Sequence, residues 1–317
     1  MTDDRRDFLV EVAWLHHEFG LTQEEIARRF DVSRSSISRA LADAERQGIV
    51  QVVVTVPMRR ESQLGAELAA RLGVVASVGA RVGDETPMMA AARAAARVLE
   101  RIGDAGHATI AVSWGRTLAT TAGLVRPRST IGIRVVDAVG HTGTSALTPT
   151  VDVTRTLAAA LGASVAHLPS PAFVDPGPSY DALLGSEPVR RALDEARGAD
   201  VTLVSVGVVG EGSLLRTEGL IEASVMAAIV GAGGAGEILG RWFDAEGREV
   251  PAPGPVAVGL SLEDLRRSRR VIAVAGGAEK ALAIGAALRG RIVHEVVIDD
   301  GLAGALLATR PASRGGT

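Results

Sequence analysis

The sequence predicts an α/β protein in which a small helical unit precedes a doubly wound parallel sheet. After Pro57, short unbroken runs of Val, Ile and Ala, typical of strands buried on both faces, alternate with Ala-rich stretches of helical length. Aromatic residues make up only 3% of the 317 residues while Gly and Ala are abundant, which suits helices packed closely on such a sheet. Before Pro57 the pattern indicates helices followed by a short β segment.

The individual elements follow from this alternation. The predicted strands lie at residues 108–114, 131–140, 199–210, 270–277 and 291–300. The predicted helices lie at residues 87–103, 117–125, 150–162, 187–197, 217–231, 278–289 and 301–308, with a connecting helix at 58–73. Strands joined through helices in this way are parallel, so their carboxyl ends meet at one edge of the sheet.

Composition excludes several classes of function. The chain has no cysteine, which excludes a disulfide framework, a thiolate metal site and a cysteine nucleophile and fits a reducing cytoplasm. The formal net charge of −3 means that any contact with nucleic acid has to be local. The acidic N-terminus is no signal peptide and no apolar run is long enough to span a membrane, so we expect a cytoplasmic protein without membrane contact. The histidines show no metal-ligand spacing, and we predict no metal and no cofactor.

Residues 21–54 carry the most specific local pattern. Thr22 is a natural cap for a helix that begins at Gln23, and Glu25 completes a capping box. A three-residue turn then leads to a second helix, which Ser33 caps. Helix, short turn and helix is the arrangement in which a second helix enters the major groove of DNA.

The start of this second helix carries the groups that a DNA-reading surface needs. It presents short hydroxyls and two guanidinium groups with no acidic residue, which suits contact with base edges and phosphates. The segment GIVQVVV (48–54) resembles the wing of a winged helix-turn-helix. The predicted DNA-binding residues are Thr22, Gln23, Ser33, Arg34, Ser35, Ser36, Ser38 and Arg39. One unit covers few base pairs, so specific recognition of double-stranded operator DNA requires a homo-oligomer.

A three-helix module that binds protein is the alternative for this unit. Charge supports it, because residues 1–55 hold seven Arg against ten Asp and Glu. The acidic residues lie mostly before residue 26, however, whereas most of the arginines follow it. This one-sided distribution favours DNA binding.

Glycine-rich segments lie near the ends of the predicted strands. They are SWGRT (113–117), VGHTGT (139–144), VGVVGEGS (206–213), GAGGAGE (231–237) and AGGAEK (275–280). Ligands of open parallel sheets bind where strands end and helices begin, and a glycine turn there offers free N–H groups to an anion. Residues 231–236, GAGGAG, have the GxGxxG spacing, which by itself is a weak signal, and no segment matches GxxxxGK[ST], so we predict a phosphorylated small molecule rather than a nucleotide. Glycine for purely conformational reasons is the alternative for each turn taken alone.

Lys280 is the only lysine among the 34 Lys and Arg residues. It falls in the first turn of a predicted helix, where a cation opposes the helix dipole unless an anion is bound. A compact ammonium group reaches a phosphate in a pocket too narrow for a guanidinium, and it could also form a Schiff base with an open-chain aldehyde. A solvated lysine without a role is the alternative.

Other candidate residues flank the same turns. Glu237 is predicted to accept hydrogen bonds from sugar hydroxyls, with an exposed loop carboxylate as the alternative. Arg116 and Thr117 are predicted to donate to a phosphate, or else to begin a helix that faces water. Asp299 and Asp300 are expected to cap the last helix.

Several of these segments together resemble a known family. LTQEEIARRFDVSRSSISRAL, GAGGAGEILGRWFD, GLSLEDLRRSRRVIAVAGGAEKALAIGAAL and VIDDGLA resemble the SorC family of sugar-responsive bacterial transcription regulators, also grouped with DeoR. The resemblance implies a winged helix-turn-helix over residues 1–56. It implies a NagB/RpiA-like doubly wound α/β domain over residues 57–317, which binds the effector and forms a dimer or tetramer. It also implies a repressor of a carbohydrate catabolic operon that responds to a phosphorylated sugar or polyol.

The resemblance assigns the effector site as well. The predicted effector-binding residues are Ser113, Gly115, Arg116, Thr117, Gly140, Glu237 and Lys280. Three departures from the family pattern fall in this site: Gly233–Gly234 where the family often has GAVG, Glu237 where many members have Asp, and an uncommon VGHTG turn. They concern the identity of the sugar more than the class of function.

A sugar-phosphate isomerase or deaminase of the same α/β fold is the alternative function. Such an enzyme needs a paired acid and base, and the sequence offers Glu237 and Lys280 but no Asp–His or Asp–Glu pair. It would also have no use for residues 21–54. A protein-interaction adaptor, a third alternative, leaves the glycine turns unexplained. We therefore predict a transcription regulator that is not an enzyme.

Overall fold

The computed structural model describes residues 3–50, 58–127, 129–142 and 150–309. The chain divides into two units, Met1–Pro57 and Met58–Thr317, each with its own hydrophobic core. Within the described ranges no helix is long and apolar enough to cross a membrane.

The first unit contains three helices: α1 Asp3–His17, α2 Gln23–Phe30 and α3 Arg34–Arg46. Their apolar faces enclose a core that includes Leu9, Ile26 and Ile37. The helix-turn-helix predicted from the sequence is therefore present. Most of the segment predicted as a wing, residues 48–54, lies outside the described residues.

Capping groups explain where the second and third helices begin. The Glu25 N–H donates to Thr22 Oγ1 at 3.3 Å, and the Thr22 N–H donates to Glu25 Oε2 at 2.8 Å, which completes the predicted capping box. The Ser36 N–H donates to Ser33 Oγ at 3.2 Å and caps α3. The turn between them passes through Asp31 in the left-handed region, with φ at 51°.

The second unit is built on a parallel sheet of seven strands. In chain order they are β1 Val75–Gly79, β2 Thr109–Val112, β3 Arg134–Asp137, β4 Ser164–Ala166, β6 Val201–Ser205, β11 Val271–Ala275 and β12 Glu295–Asp299. Their order across the sheet is β1-β12-β11-β6-β2-β3-β4. The chain therefore builds outward from β2 towards β4 and then resumes at β6 on the other side of β2.

Two small antiparallel sheets accompany the main one. β5 Phe173–Val174 pairs with β10 Val256–Ala257, and β7 Gly234–Ile238, β8 Arg241–Asp244 and β9 Glu249–Val250 form a meander. The α-helices of this unit are α4 Arg59–Leu72, α5 Pro87–Ala105, α6 Arg116–Leu124, α7 Thr150–Leu161, α8 Pro178–Gly185, α9 Glu187–Arg197, α10 Leu214–Thr217, α11 Ala223–Gly231, α12 Leu262–Arg267, α13 Ala281–Arg289 and α14 Asp300–Ala308. A 3-10 turn, Ala278–Lys280, precedes α13.

Both faces of the main sheet are covered, as the apolar strands predict. Alternate side chains of one strand belong to different cores, since Ile272 belongs to the core that includes residues of α5, α6 and α7, whereas Ala273 belongs to the core that includes residues of α4, α13 and α14. This two-sided burial explains why the strands are apolar runs rather than alternating patterns. The predicted doubly wound α/β class is confirmed.

Several parts of the sequence prediction are wrong, and two of them concern the region around α11. The helix predicted over 217–231 is interrupted, because Gly219 adopts a positive φ of 71° and α11 begins only at Ala223. The glycine segment 231–237 is not a turn from a sheet strand into a helix: it ends α11 and continues as β7 of the meander.

Candidate functional site

A cavity of about 460 Å³ lies at the carboxyl edge of the main sheet. Its walls include the segments that follow β2 (114–117), β6 (206–208) and β11 (276–280), together with residues 86–88 at the start of α5 and Glu237 on β7. This edge is the topological switch point, because the chain runs from β2 to β3 on one side and from β6 to β11 on the other. Ligands of open α/β sheets bind at such crevices.

Two glycines shape the rim of the cavity. Gly115 has φ at 131°, and a Cβ there would lie 2.6 Å from Ser205 Oγ. Gly277 has φ at 109°, and its N–H donates to Asp299 Oδ1 at 2.8 Å. Both positions lie in a backbone region that side chains rarely adopt, so glycine is required for conformation as well as for space.

The first turn of α6 offers backbone donors to this cavity. Gly115 is the N-cap residue and no side chain caps the helix. Arg116 is exposed and Thr117 is buried, and both line the cavity. Uncapped N–H groups at the start of a helix favour an anion, as the sequence predicts for these residues.

Lys280 lines the same cavity and is half-buried. The pKa of its amine is lowered, first by burial and further by the positive charge of Arg116, while the carboxylates of Glu279 and Glu237 oppose the change. Arg116 and Lys280 are thus close enough to repel each other. Among the described residues neither takes part in a salt bridge.

Glu237 is a buried carboxyl group that lines the same cavity, with 6% of its surface exposed. Burial raises its pKa to about 7, although a hydrogen bond from the Gly240 N–H and the charge of Lys280 both act to lower it. The backbone of β7 holds Glu237 in place through a bridge to Gly207, with N···O distances of 2.9 and 3.0 Å. A Cβ on Gly207 would lie 2.5 Å from Glu237 Oε2, so glycine makes room for the carboxyl group.

The structure brings five of the predicted effector residues together at the cavity and leaves two outside its lining. The five are Gly115, Arg116, Thr117, Glu237 and Lys280. Ser113 is buried behind them, where its hydroxyl donates to the Trp114 carbonyl oxygen at 3.0 Å. Gly140 donates its N–H to the Val258 carbonyl oxygen at 2.9 Å, and a Cβ there would lie 2.3 Å from the Pro171 oxygen. Ser113 and Gly140 therefore act in local hydrogen bonding and backbone packing outside the lining of the cavity.

Part of the cavity wall, Ser205 and residues 86–88, was not predicted from the sequence. Ser205 ends a strand that was predicted to continue to residue 210, and residues 86–88 begin a helix far away in sequence. The α5 residues reach the cavity because Gly276 leaves space for the Pro87 oxygen, which would lie 2.4 Å from a Cβ at that position. Gly276 in AGGAEK indicated that another segment packs closely against this turn, but the sequence did not identify that segment.

The two acidic residues at the end of β12 have different roles. Asp299 caps α14 as predicted, since its Oδ2 accepts the Gly301 N–H at 2.9 Å. Asp300 does not cap, because its carboxylate lies within 3.0 Å of Arg81 Nε and 3.1 Å of Arg60 Nη2. The Arg81 hydrogen bond and the charges of both arginines lower the pKa of Asp300 against the opposing effect of burial, which is the largest single influence.

An Asp–His pair is present although no sequence pattern indicated one. His167 Nδ1 lies 3.0 Å from Asp137 Oδ2, and the Thr154 hydroxyl donates to Asp137 Oδ1 at 2.5 Å. Asp137 and His167 do not line the cavity, so the pair does not provide an acid and base for a ligand there. No group of three His, Cys, Asp or Glu side chains in the described ranges could hold a metal ion.

The predicted DNA-binding residues lie on one exposed region of the first unit. Arg34, Ser35, Ser38 and Arg39 are exposed on α3, and no acidic residue occupies its first turn. The Arg39 guanidinium folds back along the helix, with its Nε donating to the Ser35 carbonyl oxygen at 3.3 Å. The remaining predicted residues are exposed or half-buried around the two caps: Thr22, Gln23, Ser33 and Ser36.

A helix-turn-helix unit followed by an α/β unit with a cavity at its sheet edge is the architecture of a ligand-responsive transcription regulator. Residues 55–308 match the family described as "Putative sugar-binding domain", and residues 12–61 match the MarR family. The chain belongs to the SorC- and DeoR-type family of sugar-responsive transcription regulators that carry this sugar-binding domain. The family predicted from the sequence is confirmed.

Curated relatives and one of the similar solved structures match over nearly the whole chain. The erythritol catabolism regulatory protein EryD of Brucella abortus is 29% identical over 312 residues, covering 97% of this chain and 98% of that protein. The deoxyribonucleoside regulator of Bacillus subtilis is 28% identical over 314 residues, covering 97% and 99% respectively. The full-length sorbitol operon regulator SorC of Klebsiella pneumoniae superposes with a TM-score of 0.81 at 24% identity, covering 97% of this chain and all of that one, which shows a shared fold.

Proposed function

We propose that this protein is a cytoplasmic repressor of a carbohydrate catabolic operon and that a phosphorylated sugar or polyol in the cavity weakens its binding to operator DNA. Residues 1–56 bind the DNA, and residues 57–317 bind the effector and form the dimer or tetramer. Two relatives are named as regulators of erythritol catabolism and of deoxyribonucleosides, which supports a small polyhydroxylated effector.

The observation that carries the proposal is the pair of cations beside an uncapped helix. Arg116 and Lys280 line one cavity, repel each other, and form no salt bridge with the described residues. The first turn of α6, for which the described residues supply no side-chain cap, adds backbone donors at the same place. A phosphate group between them would replace repulsion with two attractions and would complete the hydrogen bonds of the helix start.

Glu237 supports a second, hydroxyl-bearing part of the ligand. A carboxyl group with a pKa of about 7 accepts hydrogen bonds when ionised and donates one when protonated, so it suits hydroxyl groups in either state. A cavity of about 460 Å³ also lies within the range of about 300–1,000 Å³ typical of small-molecule sites. The arrangement therefore suits a molecule with a phosphate at one end and hydroxyls at the other.

The exposed start of α3 supports the DNA-binding role. Its serines are short enough to let the backbone approach a groove, and Arg34 and Arg39 supply positive charge without a neighbouring acid in the first turn. Because one unit reads a single half-site, an oligomer places two such helices on DNA.

A thermal-shift screen followed by a DNA-binding assay tests the proposal. Each phosphorylated sugar or polyol is compared with its unphosphorylated counterpart, because a ligand of the folded state raises the melting temperature. We expect a phosphorylated compound to raise the melting temperature and to release DNA taken from the region upstream of the regulated operon. Stabilisation only by unphosphorylated compounds contradicts the phosphate assignment.

The isomerase or deaminase alternative is supported by one observation, the proximity of Glu237 and Lys280, which supply an acid–base pair of the required kind. Its test is turnover of the stabilising sugar phosphate, followed by NMR with the purified protein. Turnover at a rate that falls with Glu237→Gln establishes the enzyme and overturns the regulator proposal in its present form.

A further inference from the structure

Ser205 is the last residue of β6 and lines the cavity, but it has no role in the site as proposed above. Its backbone N–H donates to Ser113 Oγ at 3.2 Å, whereas its own hydroxyl oxygen is buried without a hydrogen-bond partner among the described residues. The other buried side-chain atoms in that condition are His141 Nδ1, Thr142 Oγ1 and Thr202 Oγ1. None of those residues lines the cavity, so Ser205 is distinguished by its position.

The position of Ser205 on its strand indicates that its side chain does more than fill space in the hydrophobic core. Residues two apart on a strand share a face, and Val201 and Leu203, which precede Ser205 on its face, are buried apolar side chains. The hydroxyl appears where this face reaches the cavity. An alanine would continue the apolar face without an unpaired polar atom, and a buried hydroxyl left unpaired destabilises the folded state.

The neighbours of Ser205 indicate what its hydroxyl would bind. Ser205 Oγ lies against Gly115, 2.6 Å from the position that a Cβ would take there. Gly115 is the N-cap of α6, and Arg116 and Thr117 follow it along the cavity wall. The hydroxyl therefore adjoins the group of donors that the cavity offers to an anion. Rotation about the Ser205 Cα–Cβ bond redirects the hydroxyl without moving the backbone.

We propose that Ser205 is an effector-binding residue whose hydroxyl donates a hydrogen bond to the phosphate held at the start of α6. The proposal rests on the proposed function, because it assumes an anionic ligand in this cavity. It assigns to the serine a specificity role, since a hydroxyl donor favours the phosphate over an apolar group at this position.

Ser205→Ala tests this assignment, with inorganic phosphate as the probe and chloride at matched ionic strength as the reference. We expect the full-length variant to be at least as stable as the wild type in chloride, because the substitution removes an unpaired buried hydroxyl. We expect its affinity for phosphate, from the dependence of melting temperature on concentration, to fall about tenfold, as for loss of one hydrogen bond to a charged group.

Thr202→Val is the matched control. It removes a second unpaired buried hydroxyl from the same strand, but Thr202 does not line the cavity. We expect this variant to keep the wild-type affinity for phosphate. Ser205→Cys is a second test that replaces the hydroxyl with a somewhat larger thiol, a weaker donor, and its affinity should lie between those of the wild type and Ser205→Ala.

The outcomes separate this proposal from the one on which it rests. If the wild type responds to phosphate and Ser205→Ala and Ser205→Cys respond with the same affinity, the role of Ser205 is overturned and the phosphate site stands. If the wild type shows no response to phosphate, both proposals are overturned. A loss of affinity shared equally by Thr202→Val also overturns the role of Ser205, because it would reflect the strand rather than the hydroxyl.

Discussion

Glu237→Gln removes a buried ionisable group while keeping the shape of the side chain. In the folded protein the pKa of Glu237 is raised from its ordinary value of 4.5 to about 7, chiefly by burial. As the pH rises from 4.5 towards 7, the unfolded chain releases this proton and the folded chain retains it, so unfolding becomes progressively more favourable. Glutamine has no proton to release, and its side-chain oxygen can still accept the Gly240 N–H.

The size of the effect follows from the raised pKa. A pKa change from 4.5 to about 7 corresponds to about 3 kcal/mol, at about 1.4 kcal/mol per pH unit. We therefore expect the stability of Glu237→Gln relative to the wild type to increase by up to about 3 kcal/mol between pH 4.5 and pH 8, with most of the increase below pH 7. From about one pH unit above this pKa the difference should be nearly constant, since the carboxyl group is then ionised in both states.

Urea unfolding followed by tryptophan fluorescence measures this difference in the second unit alone. The chain has three tryptophans, and Trp114 and Trp242 are buried in the second unit while Trp14 is exposed in the first. A Trp14→Phe background therefore restricts the signal to the unit that contains Glu237. Glu211→Gln, which removes an exposed carboxyl group, is the matched control. A stability difference for Glu237→Gln that does not change between pH 5 and pH 8 would refute the account of Glu237.

Three further predictions concern separate parts of the molecule. Arg39→Ala should weaken operator binding about tenfold in a fluorescence anisotropy titration, as for loss of one charged contact, while its melting temperature shift with effector stays as in the wild type. Lys280→Ala should bind operator DNA with wild-type affinity but should no longer release it when the effector is added. If Lys280→Arg still releases the DNA, only the positive charge matters at this position. Normal release of DNA by Lys280→Ala contradicts the assigned effector site. Asp299→Ala should lower the free energy of unfolding by about 2–4 kcal/mol in urea, because it removes both the α14 cap and the acceptor of the Gly277 N–H, and a loss below about 1 kcal/mol contradicts this double role.

The local patterns predicted the helix-turn-helix and the sheet well. The capping box of Thr22 and Glu25 and the cap at Ser33 depend on residues within three positions of each other, so the sequence alone defines the starts of α2 and α3. The apolar strands were found because burial on both faces leaves a continuous signal. The two edge strands, β1 Val75–Gly79 and β4 Ser164–Ala166, were missed because most of their residues are exposed or half-buried.

The effector cavity was predicted only in part, because some of its residues follow strands along the chain while others reach it through long-range contacts. Arg116, Thr117 and Lys280 follow strands directly, so strand order and helix starts predict their position. Glu237 reaches the cavity by a different route, because an antiparallel meander pairs with Gly207 beyond the end of β6. That pairing is a long-range contact with no local signature. The sequence also could not predict that the Ser205 hydroxyl is unpaired, because this depends on which atoms surround the side chain in the folded protein.

Whether a phosphorylated effector weakens operator binding is tested most directly by the affinity for operator DNA, measured with and without a matched pair of ligands. Fluorescence anisotropy of labelled operator DNA gives the Kd in the presence of the phosphorylated sugar or polyol that raises the melting temperature and of its unphosphorylated counterpart. We predict that the phosphorylated compound raises the Kd about tenfold or more, a coupling of about 1.4 kcal/mol, and that the counterpart leaves it unchanged. An operator Kd that no stabilising phosphorylated compound changes would contradict this prediction.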